Sequence, residues 1–443
     1  MKITFYGGAS EVTGANYILE SAGGTKIMVD CGMHQGSHEA ERGNWDEFGY
    51  DPKGVAALFV THSHIDHVGR IPLLAKRGFA GMIYSTPPAR DCAHELLLDS
   101  EHLLFAAAEQ LQLPALYETA DIESAMRLWK GVPYHTPVTV GDFTIVLYNA
   151  GHVLGSSSIL VTDRDGKRIL FSGDLGNSPA PLLGGKDSMP EADYCLIESA
   201  YGNRLHEDRA KRKELLEDAI EDTVKNGGTL MIPAFALERT QELISEIDDL
   251  AEGGRIPRVQ VFLDSPLAIR LTEIYKKYSA DYLKGGSFDF TFKDLHISET
   301  TEQSKAINLV PQPKVIIAGS GMSNGGRIVH HERRYLPDPK STLLFIGYQS
   351  EGTLGRRIFD GAKNVSIFGE DVPVNCHVRS IGGYSAHADQ AQLVAWVAPR
   401  RETLKKVFAV QGEADAAQAL VQTMRDQLAI DAMVPVPGAS YDL

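Results

Sequence analysis

Cysteine is scarce in this 443-residue chain. The four present, Cys31, Cys92, Cys195 and Cys376, stand far apart and form no Cys-x-x-Cys pair. That spacing argues against a disulfide framework and against a thiolate zinc site, and it fits a reducing cytoplasm. Long apolar runs are also missing. No stretch of about 18 apolar residues occurs, so no membrane span is expected. The N-terminal Met1–Gly8 is a short apolar run closed by glycines, without the longer apolar segment and cleavage site of a signal peptide, and it reads as a first strand. Positive charge is short as well: 43 Lys and Arg against 58 Asp and Glu leave a net charge of −15. Nucleic-acid binders are usually basic, so this deficit counts against a broad, non-specific grip on a duplex. It does not exclude a nuclease whose cations are bound metals and a few local arginines.

What remains is ordinary for a soluble globular protein, with 43% hydrophobic and 23% charged residues. The length suggests two or three domains, each able to bury a core without staples. To about Ala200, short apolar runs alternate with glycine turns. Four of these runs deliver a polar residue at their end: Lys26–Val29 before Asp30, Val55–Val60 before the histidine cluster, Arg168–Phe171 before Asp174, and Tyr194–Ile197 before Glu198. Active sites of layered α/β proteins are built this way. From about Leu205 strands and helices alternate. Helices are expected over Glu207–Lys225 and Glu238–Leu250, and strands over Thr229–Pro233, Val259–Leu263, Lys314–Ala318 and Thr342–Ile346. That alternation implies a mainly parallel sheet with crossover helices. Ser287–Ser304 has the least pattern and reads as a loop. Towards the end, Asp389–Trp396 and Ala416–Leu428 read as helices and Val407–Val410 as a strand.

Chemistry concentrates in Thr61-His62-Ser63-His64-Ile65-Asp66-His67. Imidazole and carboxylate are ligands that zinc favours. A turn after a strand can point alternate side chains into one cavity, and this spacing supplies two pairs, His62/His64 and Asp66/His67, enough to begin two adjacent metal sites. The bland alternative is a polar surface turn, which three histidines in six residues make improbable. His152, between glycines, and Asp174, in a Ser-Gly-Asp turn, would each alone read as structural. After the first cluster they supply what it lacks: a third imidazole and a carboxylate able to bridge two metals.

On these residues the sequence resembles the metallo-β-lactamase superfamily and, within it, the β-CASP nucleases. Asp30, His62–His67, His152 and Asp174 match the four motifs of the superfamily. Glu198, in Ile197-Glu198-Ser199-Ala200-Tyr201-Gly202, looks like β-CASP motif A, and His387, in Tyr384-Ser385-Ala386-His387-Ala388-Asp389, looks like motif B. Pro233–Leu237, Asp264–Ala268 and Gly319–Met322 resemble segments of the RNA-processing branch. The resemblance implies an α/β chain: a metallo-β-lactamase αββα sandwich from residues 1–205 and 384–443, with a β-CASP domain, a parallel α/β sheet, inserted over 206–383. It implies a metal-dependent phosphodiesterase cleaving RNA, single-stranded rather than duplex, as an endonuclease, a 5′-exonuclease or both. The metal ligands would be His62, His64, Asp66, His67, His152 and Asp174, holding one or two zinc ions, with manganese the alternative. Asp30, Asp66, Glu198 and His387 would carry catalysis, His387 as general acid oriented by Glu198. The assembly is left open between monomer and homodimer.

One residue departs from the pattern. Where the RNA branch has a histidine before Gly-Glu, ligating the second metal, this chain has Val410-Gln411-Gly412-Glu413. A glutamine carbonyl oxygen is a weaker and harder donor than imidazole, so the second position is expected to be weak, water-completed or partly empty. The loop Gly319–Arg327 opens a helix and reads either as an ordinary turn or as a phosphate cradle, with Ser320, Ser323 and Arg327 assisting and Ser265 a further candidate. Arg356 and Arg357 fit a substrate surface or a solvated helix face. The other ten histidines, His330 and His331 among them, are given no role. Two rival functions stay in view. A thioesterase or lactonase on this fold would not need Glu198, His387 or the insertion. A non-catalytic RNA-binding scaffold would not keep six metal ligands, which are costly to bury without a metal.

Overall fold

Side chains alternate along a strand, and in Lys26–Val29 both faces are apolar. Ile27 and Val29 enter a core shared by strands of two sheets, while Met28 enters a second core packed under helices. The same alternation recurs in Tyr194–Glu198, where Leu196 faces the first of these cores and Cys195 and Ile197 face helices on the opposite side. Two sheets with apolar inner and outer faces must be covered by helices outside, and the result is the expected four-layer helix–sheet–sheet–helix arrangement.

The computed structural model describes residues 1–443 apart from 207–210, 289–291, 348 and 351, and apart from the side chains of His38 and Gln110. Among the described residues, one sheet has the order Ser440–Asp442, Lys2–Gly7, Asn16–Glu20, Lys26–Val29, Ala57–Phe59, Met82–Ser85, Trp129–Gly131. Its partner runs Ala432–Met433, Lys406–Val410, Tyr194–Glu198, Arg168–Phe171, Ser157–Asp163, Phe143–Asn149, Val138–Val140. Helices Ile71–Lys76, Pro87–Leu111 and Thr119–Leu128 cover the first sheet, and Gln390–Val397 and Ala414–Leu428 the second. These elements belong to one compact unit, Met1–Leu205 with Tyr282–Lys284 and Ala386–Leu443. The short piece Tyr282–Lys284 was not foreseen here. Leu283 bridges Leu183, and the Lys284 backbone and ammonium donate to the carbonyls of Leu182 and Ala180.

The second unit is His206–Asp281 with Gly285–Ser385. Its sheet runs Leu295–Ile297, Gln260–Asp264, Lys314–Ala318, Thr229–Pro233, Thr342–Phe345, His377–Ser380, and every pair in it is parallel. Parallel strands are buried on both faces: Leu230 and Ile232 enter one core and Met231 the other. The expected helix over Glu207–Lys225 is found as Arg212–Asn226, its first residues lying outside the described ones. Ser287–Ser304 is not a plain loop. Leu295–Ile297 pairs with Val261–Leu263, and a capping box between Thr300 and Gln303 starts a helix at Thr301. No described helix is long and apolar enough to cross a membrane.

Candidate metal centre

The polar side chains arrive at strand ends of the first unit. Asp30 follows Lys26–Val29, Thr61 and His62 follow Ala57–Phe59, Asp174 follows Arg168–Phe171, Glu198 closes its strand, and Gln411 follows Lys406–Val410. Asp30 and Gln411 take left-handed backbone, φ 57 and 51, turning the chain out of the strand direction at a cost of about 1–2 kcal/mol each. The histidine turn is held from behind, where the amides of Cys31 and Met33 donate to the carbonyls of His67 and Ile65. Gly32 lies so close that a Cβ there would stand 1.5 Å from the Asp66 carbonyl oxygen.

Four donor atoms converge. His64 Nδ1 lies 3.0 Å from His62 Nε2 and 3.3 Å from His152 Nε2. Asp174 Oδ2 lies 3.4 Å from His62 Nε2 and 3.5 Å from His152 Nε2. A tetrahedral zinc with bonds of about 2.0–2.1 Å has ligand–ligand edges of about 3.3–3.4 Å. The spacing therefore fits a divalent ion among His62, His64, His152 and Asp174, which form a group of candidate ligands by proximity as well. The electrostatics agree. Burial, then the neighbouring His67, His64, His152 and His387, hold His62 well below its usual pKa, so it is the neutral imidazole a metal requires. Burial pushes Asp174 up to about 7 against the pull of His67 and His387, with Glu198 and Asp66 adding to the rise. A buried carboxylate under that stress is relieved by a cation.

Beside this group lies a second one. His67 Nε2 is 3.5 Å from Asp174 Oδ1 and 3.7 Å from Asp66 Oδ2. Burial depresses His67, but Asp174, Asp30 and Asp66 outweigh it and raise its pKa to about 10. Asp30 stands behind the second group, bonded to His67. Its two oxygens accept from the Thr61 amide, the Thr61 hydroxyl and His67 Nδ1, each at 2.7 Å. Asp30, expected among the catalytic residues, thus holds His67 and the turn. The atom of Gln411 nearest His67 is not the expected carbonyl oxygen but the amide nitrogen, 3.3 Å from Nε2.

His387 and Glu198 form the next layer. His387 Nδ1 lies 3.0 Å from Glu198 Oε2 and 3.8 Å from Asp174 Oδ2. Glu198 is fully buried, and its other oxygen accepts from the Leu175 amide. The His387 ring stacks near Tyr201 at 6.0 Å and lies tilted beside His152 at 4.6 Å. Its backbone is sewn to the segment after Asp174: Asn177 donates to the Ala386 carbonyl and Ala388 to that of Leu175. Burial works against its charge, but Glu198, then Asp174 and Asp66, raise its pKa to about 9. Sequence reasoning missed Thr61, Tyr17 and Tyr201 as parts of this centre; Thr61 and Tyr201 stood inside the quoted motifs.

In the second unit the phosphate cradle is largely filled from within. The amides of Ser320, Ser323, Asn324 and Ile328 already donate to Gly325 O, Ser320 O, Ser320 Oγ and Gly319 O. Ser323 is buried and gives its hydroxyl to Glu332. Arg327 is spent on Asp264 and the carbonyls of Ser298 and Glu299. Ser265 accepts from the Ala268 amide at 3.4 Å. Ser323 and Arg327, expected as substrate-binding residues, thus brace the turn through Glu332 and Asp264. Arg356 pairs with Asp360, and Arg357 is exposed. His331, given no role from sequence, is buried and lies 2.7 Å from Asp264.

Comparisons with known proteins place these two units. The model of the metallo-beta-lactamase superfamily matches residues 11–225, that of the Beta-Casp domain 240–358, and that of the Zn-dependent metallo-hydrolase RNA specificity domain 371–435. The chain is 38% identical to Ribonuclease TTHA0252 of Thermus thermophilus, with 95% of each chain covered. It is 31% identical to an RNase J-like protein of Methanocaldococcus jannaschii, with 98% of each covered. It is 30% identical to the transcription termination factor FttA of Methanosarcina mazei, covering 97% of this chain and 70% of that one. A crystal structure of a protein of unknown function from Enterococcus faecalis shares the fold at TM-score 0.59 and 13% identity, covering 100% of this chain and 99% of that one.

Proposed function

Because this chain belongs to the β-CASP family of the metallo-β-lactamase superfamily, we propose that it is a metal-dependent ribonuclease, hydrolysing phosphodiester bonds of single-stranded RNA. The observation that carries this reading is the four-donor group at tetrahedral spacing, with the His387–Glu198 pair beside it. Three imidazoles and a carboxylate suit zinc, with manganese the alternative. A divalent ion held there supplies an activated water and positive charge for the phosphoryl oxygens.

The remaining steps belong to the protein's own groups. Asp30 and Thr61 fix the ring of His67 and the turn that presents His62 and His64. Glu198 anchors His387 through Nδ1, and Nε2 is the atom proposed to hand a proton to a leaving oxygen. Its raised pKa keeps that proton in place at neutral pH. The candidate role of Asp66 is to extend the acidic wall beside Asp174, with the His67 imidazole set between the two carboxylates. We also place the protein in the cytoplasm, a reading supported by four buried cysteines that are all free thiols.

The test is a metal analysis joined to a ribonuclease assay on a structured RNA with single-stranded segments. The purified protein should carry zinc and cleave, and the double substitution His62→Ala with His64→Ala should lose both. Full cleavage by a metal-free double variant would end this reading.

A further inference from the structure

Gln411 is buried, and every polar atom of its amide is committed. Its Oε1 accepts from the Tyr17 hydroxyl at 2.9 Å, and its Nε2 donates to the Val12 carbonyl at 2.9 Å. These partners decide which way the amide faces. A carbonyl can be satisfied only by a donor, so turning the amide over would set two acceptor oxygens 2.9 Å apart at Val12. The main chain restricts it as well: the Gln411 amide donates to Gly8 O at 2.8 Å, and Gly8 packs so tightly on Oε1 that a Cβ there would lie 2.2 Å from it. The atom left facing His67 Nε2, at 3.3 Å, is therefore the nitrogen.

We infer that this chain holds one tightly bound divalent metal, among His62, His64, His152 and Asp174, and that the Gln411 amide closes the second position beside His67. A second cation would have three donors, Asp66 Oδ2, His67 Nε2 and Asp174 Oδ1. In the direction of Gln411 it would meet N–H groups. A neutral amide nitrogen has no lone pair to give, because that pair is delocalised into the carbonyl, and its hydrogens carry the positive end of the dipole. The amide thus withholds a ligand and also repels a cation. The acidic wall keeps its shape while the second metal is excluded. The inference rests on the proposed metal-dependent reading for the first position only.

The experiment is metal stoichiometry on the full chain, loaded with excess zinc and then passed through a desalting column. Wild type should retain one zinc per chain. Gln411→His, which offers an imidazole where the amide stood, should retain two. Its gain in affinity for the second ion should be at least the 10–100-fold that an outer-shell partner contributes. Adding His67→Ala should return the count to one. Manganese-loaded protein gives an independent readout: an isolated-ion spectrum by electron paramagnetic resonance for wild type, and an exchange-coupled pair for Gln411→His. Two tightly held ions in wild type would overturn this inference while leaving the ribonuclease reading intact. No tight metal at all would overturn both. A folded Gln411→His protein that still holds one ion would remove Gln411 as the cause. The wild-type count stands as a test even where the variants do not fold.

Discussion

His387 and Glu198 are 189 residues apart in the chain and 3.0 Å apart in the fold. Such a pair has a testable signature. Replacing His387 with Ala should leave metal content unchanged and lower cleavage of an ordinary phosphodiester by about 10²–10⁴-fold. A substrate with an activated leaving group needs little protonation and should lose far less. Equal losses on the two substrates would move His387 from proton donor to binding group. At this scale the sequence was informative where a residue's type carries its chemistry. Six histidine and aspartate positions were assigned to metal from their spacing and their resemblance, and His62, His64, His152 and Asp174 do converge. It was uninformative where orientation decides. Asp30 turns to His67, Arg327 turns to Asp264, and Gln411 presents nitrogen, and each outcome is set by partners distant in sequence.

Elements show the same division. Thr229–Pro233 and Lys314–Ala318 were legible to the residue because continuous apolar runs bounded by turn residues have few other uses. Leu295–Ile297 was not, since its strand character comes from pairing with Gln260–Asp264 and not from its own composition. The helix Gly326–Tyr335 hides another such feature. Glu332 is fully buried on it; one carboxyl oxygen accepts from Ser323, and the other has no hydrogen-bond partner among the described residues. Burial raises its pKa from 4.5 to about 8, with the Ser323 bond pulling the other way. The folded chain therefore keeps a proton that the unfolded chain has lost. The stability linked to this group is complete below about pH 4.5 and drains away as pH rises to about 8, a difference on the order of a few kcal/mol. Glu332→Gln should flatten that slope. Urea midpoints of variant and wild type should nearly coincide at low pH, and the variant should be the more stable at high pH. A wild-type advantage at high pH would show that the carboxylate is charged and paired.

For the whole molecule, with a net charge of −15, a divalent metal would be the largest single positive charge at the proposed site. A ligand bound by the native state alone stabilises it by about 4 kcal/mol at a thousand times its dissociation constant. Stripping the metal with a chelator should accordingly lower the melting transition that involves the first unit by on the order of 10 °C, and zinc should restore it. An unchanged transition would mean that the four donors hold no structural ion. The sequence changes rhythm near Leu205, where the first stretch of the first unit ends, whereas the return of Tyr282–Lys284 to that unit left no mark in it, because it depends on a bridge to Leu183 and on bonds to Leu182 and Ala180.

The order of the two sheets also has a consequence in time. Tyr194–Glu198 lies between Arg168–Phe171 and Lys406–Val410, and Lys2–Gly7 lies between Asn16–Glu20 and Ser440–Asp442. Both sheets thus draw neighbours from opposite ends of the polypeptide. In synthesis, His62 through Asp174 are made early, but His387 and the strands Lys406–Val410 and Ser440–Asp442 come much later. Until then the edges of Tyr194–Glu198 and Lys2–Gly7 that they cover stay unpaired, and the four candidate metal ligands stand without their proposed proton donor.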